Sequence, residues 1–151
     1  MDRSLSTYFK WILSFIFVAA GILKMFSPDN TGDILIFLFE IDYNNSLIIV
    51  YIISSIEVIL GLCLFLGIKG KLTRALILVS CSLFLLVTIV GYTDNWNQTC
   101  GCFGRFSFGR FDSTMVLRNI LLVSMSVWII YGERLSNRFK ELDLKRGFKQ
   151  Q

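Results

Sequence analysis

Apolar residues fall into four long runs along the chain, separated by short polar breaks. The first extends from about Tyr8 to Phe26 and stops at Ser27-Pro28-Asp29-Asn30, a cluster that ends helices. The second covers Ser46 to Ile68 and is closed by Lys69-Gly70-Lys71; the third covers Ala75 to Tyr92 and the fourth about Ser113 to Tyr131. Each is close to the ~20 residues that cross ~30 Å of hydrocarbon. In lipid such a run satisfies its own backbone only as a helix, and short connections make neighbours antiparallel. The expected fold is therefore all-α, an integral membrane antiparallel four-helix bundle over residues 1–132 with spans at about 8–26, 46–68, 75–92 and 113–131. A further apolar piece, Asp33 to Tyr43, is too short to span and reads as an outer interfacial segment.

Small residues at Ala20, Gly21, Ser54, Ser55, Gly61, Gly67, Ser80 and Ser82 would let helix backbones approach closely. Val18-Ala19-Ala20 resembles a signal-peptidase site, but the apolar run continues past it, so the first run is read as a retained span. Residues 133–151 form a basic tail. Within it Leu135, Phe139 and Leu142 recur at helical spacing, as in an amphipathic helix lying on an anionic inner leaflet. A solvated tail is the alternative.

Composition supports a single membrane domain: of 151 residues 54% are hydrophobic and 17% charged, with one proline, and mean hydropathy is +0.64. The net charge of +4 is unevenly placed. Lys69, Lys71 and Arg74 follow the second span, and Arg134, Arg138, Lys140, Lys145, Arg146 and Lys149 follow the fourth, while Arg3 and Lys10 precede or open the first. The segment from Ser27 to Asn45 has no Lys or Arg and carries Asp29, Asp33, Glu40 and Asp42. That asymmetry predicts an inner-membrane protein with both termini inside, and puts the loop from Thr93 to Asp112 on the periplasmic side despite Arg105 and Arg110. Basic residues flanking spans are explained by topology, so nucleic acid is not an expected partner. Trp11, Trp96, Trp128, Tyr8, Tyr43, Tyr92 and Tyr131 fall mostly at span ends, as an interfacial belt does.

Histidine is absent, which removes the usual general base and the usual zinc and haem ligand. Chemistry then centres on Cys100-Gly101-Cys102-Phe103-Gly104-Arg105. Thiolates carry out disulfide exchange, and nearby Arg105 and Arg110 favour the thiolate. Gly101 and Gly104 free the backbone on either side. A Cys-x-Cys disulfide is geometrically tight, and tight disulfides are labile and oxidising. A structural disulfide is the competing reading; a soft-metal site is a third, for which two sulfurs without His make an incomplete shell. Cys63 and Cys81 lie inside spans and read as small hydrophobes.

Glu57 lies about mid-span, where an ionisable group is a functional candidate. Lys24 and Arg118 are its candidate partners, and Asn119 completes the intramembrane polar set. Counted from the span edges at ~1.5 Å per residue, Glu57 lies roughly 16 Å down and the two cations only a few Å. A direct pair then requires extended side chains, with water or a protonated Glu57 as alternatives. The polar set would shuttle a proton, hold a quinone head group, or simply join helices.

The cysteine motif after three spans and before Arg118-Asn119, together with Gly21-Ile22-Leu23-Lys24 and the Glu57-to-Gly61 stretch, resembles the MauE/DoxX-like family of small four-helix membrane proteins. The resemblance covers the chain to Tyr131 and implies a redox-associated function. MauE-type members imply help with disulfide formation in a cysteine-rich dehydrogenase subunit of methylamine utilisation; DoxX-type members imply quinone-coupled sulfur oxidation. The layout is also similar to vitamin K epoxide reductase-like enzymes, from which the Cys-x-Cys spacing departs. The expectation is thus a thiol-disulfide redox protein, a candidate oxidoreductase, with Cys100 and Cys102 exchanging with a periplasmic partner and electrons passing to quinone near Lys24, Glu57, Arg118 and Asn119. Quinone is the one candidate cofactor. The alternative is a non-catalytic subunit of a larger membrane complex that uses the cysteine loop for docking.

Overall fold

The computed structural model describes residues 3–68, 70–94, 96 and 113–147, with side chains between 6 and 131 of these. Five helices follow in order: α1 Arg3–Phe26, α2 Asp29–Phe39, α3 Tyr43–Leu66, α4 Gly70–Thr93 and α5 Ser113–Gly147. Four stretches are long and apolar enough to cross a membrane: Ser6–Phe26, Tyr43–Leu66, Gly70–Thr93 and Ser113–Tyr131. The protein is an all-helical, multi-pass membrane bundle. The expected boundaries shift by a few residues because polar residues such as Tyr43-Asn44-Asn45 join the helix ends. α5, which carries the fourth span, does not stop at Tyr131; its backbone continues unbroken to Gly147.

The breaks follow local chemistry. Pro28 sits at the N-cap of α2 with φ −75°, where a missing N–H costs nothing. α2 therefore begins at Asp29, four residues before the expected start at Asp33, and it ends where Glu40 turns left-handed at φ 51°. The α3–α4 turn is closed by Gly67 at φ 70°, with the Ile68 N–H donating to Cys63 O at 2.9 Å. That six-to-one bond across a left-handed glycine is a Schellman end. The Thr73 hydroxyl ties the turn again by donating to Ile68 O at 2.9 Å.

α1 and α3 form the tightest pair, through two matched contacts seven residues apart on each helix. A Cβ on Gly21 would lie 2.7 Å from Ser54 O, and one on Gly61 would lie 2.7 Å from Val18 Cγ2 and 3.0 Å from Ser14 O. The Ser14 hydroxyl donates to Gly61 O at 2.5 Å. With no hydrophobic drive between helices in lipid, such backbone proximity and interhelical bonding hold the pair together. Of the other small residues singled out by spacing, Gly67 serves the turn instead, and Ser55 and Ser82 donate to their own helix at Tyr51 O and Leu78 O.

These contacts also set the vertical register. Residue 21 is level with 54–58 and residue 61 with 14–18, so the first two turns of α3 overhang the end of α1. α2 fills the space beside that overhang: a Cβ on Gly32 would meet Ser46 Oγ at 3.2 Å and Leu47 at 3.8 Å, and the Tyr43 hydroxyl donates to Asp29 Oδ1 at 2.9 Å. α4 packs on α5, and α5 also meets α1, which joins the two pairs.

Leu13, Phe17, Leu60, Leu64, Ile77, Cys81 and Ile129 form the main buried cluster. A smaller one, Ile34 and Met115 with Val87 and Trp96, closes the end that carries α2. There the Trp96 ring meets Phe37 edge-on, 5.1 Å between centroids. Large hydrophobics such as Phe15, Ile52, Ile59, Leu83 and Leu121 face outward, the surface that lipid solvates.

Replacing Gly61 by Val should therefore lower stability by about 1–3 kcal/mol, the range for overpacking a close contact, whereas Ile59→Ala on the outward face should change it little. Thermal unfolding of both variants in detergent checks this.

Candidate functional site

A cleft with three charged residues among its mostly apolar lining adjoins the main apolar cluster, from which Phe17 and Cys81 reach its wall. It is lined by Ile16, Phe17, Ala20 and Lys24 of α1, Glu57 of α3, Cys81 and Phe84 of α4, and Arg118, Asn119 and Leu122 of α5. Every transmembrane helix contributes. The reason lies in the stripes: Leu13, Phe17 and Lys24 share one face of α1, and Val50, Ser54, Glu57, Leu60 and Leu64 share one face of α3. Each ionisable residue occupies an inward position that an apolar residue fills a turn or two away.

Lys24 and Glu57 form a direct ion pair, Nζ to Oε1 at 2.5 Å, and the two residues are 1% and 3% exposed. The depth expected from span edges was wrong, because it assumed that α1 and α3 end level. With α3 overhanging, Glu57 lies only about one turn, ~5.4 Å, deeper than Lys24. Helical side chains lean toward their own N-terminus. In antiparallel α1 and α3 the two side chains therefore lean toward each other, and neither has to span half the membrane. The ammonium also lies 4.4 Å from the Phe84 ring centroid, so α4 contributes a cation–π contact.

Arg118 lines the same cleft, but the hydrogen-bonded partner of Glu57 is Lys24. Asn119 acts elsewhere as well. Its side-chain N–H donates to Thr88 Oγ1 at 2.8 Å, and the Thr88 hydroxyl donates to Phe84 O at 2.7 Å. That relay clips α5 to α4 and steadies the turn holding the Phe84 ring. Glu57 Oε2, in contrast, is buried with no hydrogen-bond partner among the described residues.

Cys81 is buried and free, and the Ser126 hydroxyl lies 3.6 Å from its sulfur. Cys63 is free and half-buried. Cys100, Gly101, Cys102, Phe103, Gly104 and Arg105 lie outside the described residues. Sequence reasoning overlooked Phe84 and Thr88. Their signal was the continuation of the Ile77–Cys81 stripe at positions 84 and 88.

About 30 Å³ of the cleft is open to the centre of a water molecule. By that measure a single water takes roughly 10–15 Å³, so the space suits one or two waters and not a quinone ring.

Opening the pair from one side should cost more than removing it whole. Lys24→Met or Glu57→Leu alone should destabilise by about 3–5 kcal/mol, because each leaves an unmatched buried charge, and the double variant should recover much of that loss. A double-mutant cycle read by thermal or denaturant unfolding measures the difference.

A family model described as methylamine utilisation protein MauE matches residues 2–132. No curated protein and no solved structure matches the chain.

Proposed function

The chain belongs to the MauE family of methylamine utilisation proteins, and from that premise we propose that it is a thiol-disulfide exchange protein of the bacterial inner membrane. Its termini face the cytoplasm, and Cys100 and Cys102 face the periplasm. One observation carries the reading. The only two cysteines outside the spans stand as Cys-Gly-Cys between the end of α4 and the start of α5, inside the family match. Trp96, just past α4, is seated on Phe37 of α2, which anchors the start of that connection against the bundle.

The exchange balances without a further reagent. A thiolate of the partner attacks one sulfur of the Cys100–Cys102 disulfide, forming a mixed disulfide and releasing the other cysteine as thiolate. The partner's second thiol then attacks the mixed bond. The partner leaves with a disulfide, and two electrons and two protons stay on Cys100 and Cys102. The expected partner is a cysteine-rich periplasmic protein of the methylamine system, and a disulfide-bearing carrier returns the loop to its oxidised form.

Quinone reduction at Lys24, Glu57, Arg118 and Asn119 finds no support in the space available. The cleft is water-sized, Asn119 is engaged with Thr88, and the Lys24 ammonium is held by Glu57 and Phe84. No electron step is assigned to that site; the ion pair joins α1 to α3 within the bundle.

In a Cys102→Ser or Cys100→Ser variant the remaining thiolate can attack the disulfide of the oxidised partner but no second cysteine resolves the product, so a covalent adduct should accumulate on a non-reducing gel and disappear with reductant. If neither variant traps a partner and the double serine variant still supports function, the chain is a docking subunit and exchange is ruled out.

A further inference from the structure

The buried ion pair leaves one atom unaccounted for. Glu57 is 3% exposed and helps to line the cleft, and its Oε2 is buried with no hydrogen-bond partner among the described residues. A carboxylate oxygen deprived of hydrogen bonds in a low-dielectric interior is costly. The cleft is large enough for one or two waters on its free volume of about 30 Å³.

We infer that the cleft is a hydration site, in which one or two membrane-buried waters donate to Glu57 Oε2. Charge selects the occupant. The charged residues lining the cleft are Lys24, Arg118 and Glu57, an excess of one positive charge, so a small cation such as an alkylammonium is repelled. An anion, though drawn by the positive excess, brings a second negative charge to Oε2 in place of the hydrogen-bond donor that the atom lacks. A neutral donor of minimal size remains, and that is water. Ile16, Phe17, Ala20, Phe84 and Leu122 make up the apolar part of the wall and offer the molecule no hydrogen bonds, so its position is set by the polar groups beside them, Glu57 Oε2 first among them.

The consequence is proton access. A carboxylate sealed among apolar side chains exchanges protons only with Lys24. One joined to water in a partly open cleft exchanges them with the outside as well. This inference stands on the cleft alone and holds whether or not the cysteine loop exchanges disulfides.

The test uses the full chain in lipid nanodiscs, with magnetisation transfer from water to two sets of protons that do not themselves exchange, the Glu57 γ-protons and the Phe84 ring protons. The wild-type protein should show transfer to both. Ala20→Leu, which places a side chain in the cleft, should lose it while keeping its helical content, and Leu122→Phe fills the same space should Ala20→Leu fail to fold. Absence of transfer in the wild-type protein overturns the inference, as does full transfer in a folded, cleft-filled variant.

Discussion

An ionisable side chain inside a lipid-embedded bundle has to be met by the protein, because the surrounding hydrocarbon offers it nothing. The pairing of Lys24 with Glu57 answers that demand, and much of the architecture follows from it. It requires α1 and α3 to lie close and in one register, which the Gly21–Ser54 and Gly61–Ser14 contacts provide. It also requires a third helix to complete the ammonium's surroundings, which the Phe84 ring does. Such a pair adds little net stability. Its demand is on register, since a slip of α3 that carried Glu57 deeper would part the two charges.

That register explains how the rest is placed. Because α3 overhangs α1, α2 has a flank to lie against, and Tyr43 with Asp29 and Gly32 with Ser46 fix it there. α2 in turn presents Phe37 to Trp96, so the chain leaving α4 toward the cysteines starts from a packed position. The buried charges and the residue from which the chain leaves α4 thus belong to one packed unit.

Most of the bundle was legible in the residues. Runs of apolar residues near membrane length, broken at Ser27-Pro28 and Lys69-Gly70, give the helices directly, since lipid permits little else. Glu57 and Lys24 were visible as partners, but their depth was misjudged: counting from span edges cannot see an overhang, which depends on which glycine meets which carbonyl. The small residues were ambiguous for the same reason. Gly21 and Gly61 make the interhelical contact while Gly67 makes a turn, and composition alone does not separate the two uses. Phe84 and Thr88 carried no chemical flag, because an aromatic or a threonine in a span is ordinary until a cation or an amide is placed beside it.

The functional account depends on which side of the membrane receives the Cys-Gly-Cys sequence, since a dithiol persists as a disulfide only in an oxidising compartment. The most direct measurement is labelling of Cys100 and Cys102 in intact cells with a membrane-impermeant maleimide, after reduction, in a Cys63→Ala, Cys81→Ala background. The account predicts labelling from the periplasmic side, and only after the reductant. Labelling that requires the inner membrane to be opened would put the pair in the cytoplasm and contradict it.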